Sequence, residues 1–285
     1  MEKTSTPKNL VGIFDSGVGG LSVLREIHSL LPSQPMLYVG DQAHVPYGKR
    51  QPAEILQFSI AITDYLLAEG ARLIVVACNT ASAAALQQLR AAFPHLPFVG
   101  MEPAVKPASQ QTHNGVVGVL ATPATFQGKL YATLVEKFAH HVRLLTSTLP
   151  GLVEEIENGN LHGERTRTIL AEAILPMLAE GVDTLVLGCT HYPFVLPLIR
   201  EIAGEQVNVI DPAPAIARRT CNLMKDNDLL NPPGAAACLS FATTGALPPF
   251  ADSIERLLGL RSEPVQLEWQ GEKPQLIKKD KKWEI

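Results

Sequence analysis

The sequence predicts an α/β protein built from doubly wound parallel sheets, and three observations carry that expectation. Strand-like and helix-like segments alternate almost from the start. The strands are near-continuous apolar runs, as expected where helices cover both faces of a parallel sheet. The same order of elements then recurs in the second part of the chain, which suggests a duplicated half.

LVGIFD at 10–15 is the first strand, followed by a helix at 21–31 and a second strand, PMLYVGD, at 35–41. A helix at 53–67, a strand at 73–77 and a helix at 81–93 continue the rhythm. The second part opens with GVVGVLATPATF at 115–126, a strand ending in a Thr/Pro turn, much as GIFDSGVGG at 12–20 ends in an Asp/Ser/Gly turn. Gly12 aligns with Gly118 at an offset of 106 residues, and Cys78 aligns with Cys189 at 111. Offsets that close place two equivalent strand ends around one inter-domain cleft, where the carboxyl ends of parallel strands bind ligands. After VNVIDPAPAIARR a helix runs to about 225, 231–237 is a loop, and LSFATTG with a helix at 252–258 completes a unit. The tail QGEKPQLIKKDKKWEI is lysine-rich and broken by proline, and reads as a loosely held end.

The chain has 285 residues, 46% of them hydrophobic, with 24 Lys and Arg against 28 Asp and Glu. The net charge of −4 argues against direct nucleic-acid contact, which needs a concentrated basic face. No apolar stretch reaches membrane-span length, and the polar leader MEKTSTPKN lacks a signal-peptide core. Four cysteines without a CxxC pair suggest reduced thiols and a cytoplasmic setting.

Two of those cysteines carry the chemistry. In LIVVACNTASA and TLVLGCTHYPF an apolar strand runs into Cys78 or Cys189, with Thr80 or Thr190 close behind and a helix following. A helix N-terminus favours a thiolate by charge–dipole attraction. Two thiols facing each other across a pocket can remove a proton from one side of a carbon and return it on the other, which is racemisation. A lone buried cysteine is more often structural, and Cys221 and Cys238, without this context, are read that way. Three rival readings use the same residues. Gly17, Gly19 and Asp41 fit part of a dinucleotide fingerprint, but Ser22 stands where the third glycine belongs and Asp15 would repel a pyrophosphate. Zinc held by Cys78, Cys189 and His191 lacks a fourth ligand. A Cys–His acyl-transfer site leaves the second cysteine unexplained.

DSGVGG at 15–20, GDQAHVPYG at 40–48, VVACNTASA at 75–83 and LVLGCTHYP at 185–193 together resemble glutamate racemase, of the cofactor-independent aspartate/glutamate racemase superfamily. The resemblance implies two α/β domains related by pseudo-twofold symmetry, residues 1–102 plus 213–285 and residues 103–212. It implies interconversion of L- and D-glutamate for peptidoglycan, with no cofactor and no metal. Carried over, Cys78 and Cys189 are the acid/base thiols, Cys78 acting on D-glutamate and Cys189 on L-glutamate. Asp15 is assigned to the Cys78 side and His191 to the Cys189 side. Ser16, Tyr47, Gly48, Asn79, Thr80 and Thr190 join Asp15 and His191 as substrate contacts. Glu154 matches the acidic residue of a FVPLVE-like stretch, with Glu155 as a neighbouring competitor. A homodimer is expected, and a cell-wall precursor is a candidate activator, required by only some members of the family, those with N-terminal extensions that this short leader does not resemble. A racemase acting on aspartate, or a racemase-fold regulator such as a gyrase inhibitor, are the alternatives.

Overall fold

The computed structural model describes residues 9–235, 237–271 and 274–279. The chain opens with β1 (Leu10–Asp15), α1 (Leu21–Leu30), β2 (Met36–Gly40), α2 (Pro52–Ala68), β3 (Ala71–Val76), α3 (Asn79–Ala92) and β4 (Phe98–Gly100). A second series runs α4 (Val105–Gln111), β5 (Val116–Ala121), α5 (Pro123–Gln127), α6 (Lys129–Phe138), β6 (Arg143–Ser147), α7 (Leu152–Glu157) and α8 (Glu164–Ala179). It ends with β7 (Thr184–Gly188), α9 (Leu196–Ala203) and β8 (Asn208–Ile210). The chain then returns through α10 (Ala213–Asp226), β9 (Leu239–Thr243), α11 (Leu247–Leu258), β10 (Val265–Gln270) and β11 (Gln275–Lys278).

Among the described residues these strands form two sheets, ordered β11-β10-β9-β2-β1-β3-β4 and β6-β5-β7-β8. Every pairing is parallel except β10 with β11. The block β2-β1-β3-β4 has the same order as β6-β5-β7-β8, so the duplication read from two offsets is a duplication of topology. Its register agrees. Gly12 lies between Leu37 and Ile74, and Gly118 between Leu145 and Leu185. Both glycines are needed for packing. A Cβ on Gly12 would sit 2.8 Å from Ile74 Cδ1, and one on Gly118 would sit 2.7 Å from Leu185 Cδ2.

Helices cover both faces of each sheet, which is why β1 and β7 are buried along their whole lengths. One hydrophobic cluster is continuous between the sheets, taking Val11, Ile13 and Leu73 from the first and Leu120, Leu185 and Leu187 from the second. The far faces have their own cores, one with Phe14, Ile55 and Leu86, the other with Val105, Val119 and Val186.

Three elements depart from expectation. The helix expected to follow Cys189 directly is a short 3-10 turn, Tyr192–Val195, before α9. Pro193 and Pro197 remove N–H groups there, so a regular helix starts late. The last long helix begins at Leu247 rather than 252, because Pro248 and Pro249 fall in its first turn, where no N–H is needed. The tail is not loose at 274–279: β11 closes the sheet edge, with Lys278 on Glu69 and Lys279 on Glu268, each at 2.8 Å. Edge lysines of this kind discourage pairing with another sheet. The leader at 1–8 and the tail end at 280–285 lie outside the described residues. Cys221 is half-buried against the core, as expected, whereas Cys238 is exposed, its sulfur beside Ser240 Oγ.

Gly12→Val and Gly118→Val are each expected to cost about 1–3 kcal/mol through overpacking. The readout is the thermal midpoint, and an unchanged midpoint would mean the strands part freely at these positions.

Candidate active site

The carboxyl ends of β1, β2, β3 and β7 supply most of the residues that the sequence singled out, and that of β5 adds Thr122. Asp15 ends β1 and has no exposed surface. Its carboxylate accepts from Ser16 Oγ at 3.0 Å, from the Gly17 N–H at 3.4 Å, and from Thr190 Oγ1, across the cleft, at 2.8 Å. Burial raises its pKa above the ordinary aspartate value, and the His191 charge and these hydrogen bonds only partly offset that.

Cys78 follows β3 as the N-cap of α3, with its sulfur accepting the Ala81 N–H at 3.4 Å. It is 5% exposed. The helix amides favour the thiolate, as the sequence suggested, but they do not win. Burial pushes the Cys78 thiol well above its usual value, and the Asp15 charge pushes the same way. The Ala81 and Ser16 amides pull it down by less, and a charge on Cys189 raises it further. Cys78 therefore rests as a thiol.

The Cys189 side is built differently. Cys189 Sγ lies 3.7 Å from His191 Nδ1, and His191 Nε2 lies 2.6 Å from Glu157 Oε1. Burial would strip the imidazole of its proton. The bonds to Cys189 and Glu157 outweigh that and hold His191 well above the usual imidazole value. For Glu157, burial is likewise overcome, first by the His191 hydrogen bond and charge, so its pKa falls. An imidazolium donating from both ring nitrogens fits both distances.

The DSGVGG turn closes onto this pair. Val18 N–H donates to Glu157 Oε1 at 2.8 Å. A Cβ on Gly17 would lie 1.9 Å from the same oxygen, and one on Gly19 would lie 2.4 Å from His191 Nδ1. These glycines therefore admit the opposite lobe, in the space a pyrophosphate would need. Tyr38 Oη holds the turn through the Gly17 carbonyl at 2.7 Å. Ser22, the residue that breaks the dinucleotide fingerprint, donates across the cleft to the Thr190 carbonyl at 2.9 Å. Asp41, the acid of that fingerprint, already accepts from Tyr47, Thr244 and Trp269 and pairs with His44. No metal site emerges: among the described residues, no group of three His, Cys, Asp or Glu is arranged to hold an ion.

Of the expected contacts, Asn79 is the one left open. Its side-chain nitrogen and oxygen are both buried without a partner, although Asn79 is 3% exposed. Such a group calls for a ligand. Thr80 Oγ1 meets Thr122 Oγ1 at 3.0 Å across the cleft, and a Cβ on Gly48 would sit 3.2 Å from Thr122 Cβ. Tyr47 spends its hydroxyl on Asp41 at 2.7 Å and so shapes the wall. A cavity of about 120 Å³ lies at the mouth, lined by Gly48, Thr122, Leu149, Val153, Glu154 and Tyr192.

Two buried thiols at equivalent strand ends, with a carboxylate beside one and an imidazolium beside the other, are an arrangement able to pass protons. The Asp/Glu/hydantoin racemase family profile matches residues 12–220. The chain belongs to this racemase family. It is 48% identical to the glutamate racemase of Roseiflexus sp. (strain RS-1) over 248 residues, covering 87% of this chain and 91% of that one. A solved glutamate racemase isoform of Bacillus anthracis superposes with a TM-score of 0.84 at 31% identity, covering 91% and 97%. The Escherichia coli glutamate racemase, solved with L-glutamate and the activator UDP-MurNAc-Ala, gives 0.78 at 34% identity, covering 89% and 95%.

In this racemase His191 donates to Glu157 and not to Glu154. Glu154 pairs with Lys49 at 2.6 Å near the surface, and Lys49 lowers its pKa against the effect of burial. Glu155 points to Arg165 and Asn160. The residue on the His191 side is Glu157, at the end of α7. Three residues on from Glu154 is nearly one helical turn, and only the tertiary placement of α7 decides which turn faces the cleft. Thr122 was also missed, although the 106-residue offset maps Ser16 onto it.

Glu157→Gln is expected to lower kcat/KM by at least about tenfold. Without the carboxylate, His191 loses its proton at a lower pH, so the alkaline limb of the pH profile moves down. Glu154→Gln should stay within about twofold, since exposed ion pairs contribute about 0–1 kcal/mol. The reverse ranking would return the role to Glu154.

Proposed function

We propose that the enzyme interconverts L- and D-glutamate by a two-thiol proton transfer without a cofactor, and that it supplies D-glutamate for peptidoglycan. The observation that carries the mechanism is the pair of buried thiols, Cys78 and Cys189, each with its own proton partner. Starting from L-glutamate, the Cys189 thiolate removes the Cα proton while the Cys78 thiol delivers a proton to the opposite face. The electron pair left at Cα is spread into the carboxylate until Cys78 protonates it. D-Glutamate then leaves behind Cys189 as thiol and Cys78 as thiolate. The return reaction runs from that state, and a new turnover of L-glutamate needs the Cys189 thiol to give up a proton and the Cys78 thiolate to take one up, both by exchange with water.

The carbanion needs stabilisation by groups already oriented toward the developing charge. Asn79, with both amide atoms free, and the Ser16 and Thr80 backbone at the cleft are assigned to the substrate carboxylate. Burial raises the proton affinity of Asp15, which can then carry a proton to the Cys78 thiolate left by the L-to-D direction. His191, held protonated beside Cys189, can donate to the Cys189 thiolate left by the reverse direction.

Racemisation in heavy water should place deuterium at Cα mainly in the product enantiomer. Cys78→Ala and Cys189→Ala should each abolish racemisation, and full activity in either would sink the mechanism. A chiral substrate panel separates glutamate from aspartate, and turnover of aspartate at an equal rate would move the substrate assignment.

A second ligand reading rests on a cavity of about 780 Å³ where β4, α4, β8 and α10 meet, away from the thiols. Arg90, Lys106, Arg218 and Arg219 line it against Glu102 and Asp211, a cationic balance suited to phosphates. This is where a UDP-muramoyl precursor would act if the enzyme is activated as its E. coli relative is. The proposal includes a cytoplasmic homodimer, since a reducing compartment keeps both thiols free. No described helix is long and apolar enough to cross a membrane. Assay and sedimentation with and without the precursor test both points. A rise in kcat/KM and a dimer mass are expected, whereas unchanged rates and a monomer mass would remove them.

A further inference from the structure

The C-terminal strand pair reaches the substrate cleft through one indole. Trp269, on β10, donates its Nε1–H to Asp41 Oδ1 at 2.9 Å. Asp41 follows β2 and is fully buried, and its own N–H donates to the carbonyl of Asp15 at 2.9 Å. A buried carboxylate must have its lone pairs met. Here Trp269 and Thr244 serve Oδ1, the latter at 2.7 Å, while Tyr47 and His44 serve Oδ2, at 2.7 and 2.9 Å. Two of these groups come from the C-terminal part of the chain and two from the loop itself. Asp41 is therefore the knot that ties the 41–48 loop to β9 and β10.

The Trp269 ring adds to the hold. His44 stacks on Phe58 with centroids 3.9 Å apart and planes 10° from parallel. Trp269 packs against both, at 5.2 Å from His44 and 5.3 Å from Phe58. The loop held this way faces the cleft at two points. Gln42 Nε2 donates to Glu157 Oε2 at 3.1 Å, and Gly48 abuts Thr122 of the opposite lobe.

We propose that Trp269 is a positioning residue, whose N–H acts through Asp41 to set the 41–48 loop against Glu157 and the substrate. The proposal rests on the racemase reading for its kinetic consequence and on geometry alone for its structural one. A purely packing tryptophan would need the ring and not the N–H. Phenylalanine separates the two, because it keeps an aromatic ring in the stack and removes the donor.

Trp269→Phe is expected to raise KM for both glutamate enantiomers by about tenfold, the scale of a lost hydrogen bond to a charged group, with kcat changed less. Hydrogen exchange should quicken at 41–48 while β9 and β10 keep their protection. Kinetic constants within about twofold of wild type, with unchanged exchange at 41–48, would overturn the positioning role. A wild-type enzyme inactive on glutamate refutes the racemase reading instead, and the exchange comparison still decides the structural claim. If Trp269→Phe does not fold, a Trp283→Phe chain leaves Trp269 as the sole tryptophan. Its emission is expected to move on saturation with D-glutamate, and unmoved emission overturns the proposal.

Discussion

A single carboxylate oxygen, Glu157 Oε1, accepts both the Val18 N–H of one lobe and the Nε2–H of His191 in the other. The rest of the site depends on that shared acceptor. It neutralises an imidazolium that burial would otherwise discharge, and so keeps a proton donor beside Cys189. It also holds the Gly17–Gly20 turn against the second lobe, close enough that no side chain fits at Gly17 or Gly19. The missing Cβ atoms of Gly17 and Gly19 leave room for the turn, and with it the Val18 N–H, to come this close. The glycines of DSGVGG thus serve contact between lobes.

The duplicated topology brings two strand ends together, but the duplication is not chemical. Cys78 caps a true helix and has a carboxylate for a neighbour, whereas Cys189 precedes a 3-10 turn and has a histidine. An anionic neighbour and burial keep one thiol protonated, and a cationic neighbour stands beside the other. A two-base reaction needs one sulfur protonated and the other not, and this inequality favours that distribution.

The 41–48 loop shows how far from the thiols the positioning extends. Its acid, Asp41, has no open lone pair for a ribose or a substrate, because strands at the far end of the sheet already fill it. Tyr47 is drawn inward by the same carboxylate. What this side leaves open is the backbone at Gly48 and the buried, unpartnered amide of Asn79.

Much of this was legible in the residues. Apolar runs ending in DSGVGG, CNT and CTH determined the parallel strands, the strand-end thiols and the duplication, because strand burial and turn chemistry are local properties. The four motifs determined the family. The sequence could not rank Glu154, Glu155 and Glu157, which share one short helix and differ in face or by one turn. Nor could it weigh burial against the helix amides at Cys78, since desolvation depends on what the other lobe brings. The strands at the C-terminal edge were hidden for a similar reason. Their lysines suggest solvent, and only pairing with β9 and Glu69 turns them into structure. Local pattern therefore decided which residues could react, and the packing of one lobe on the other decided which protons they hold.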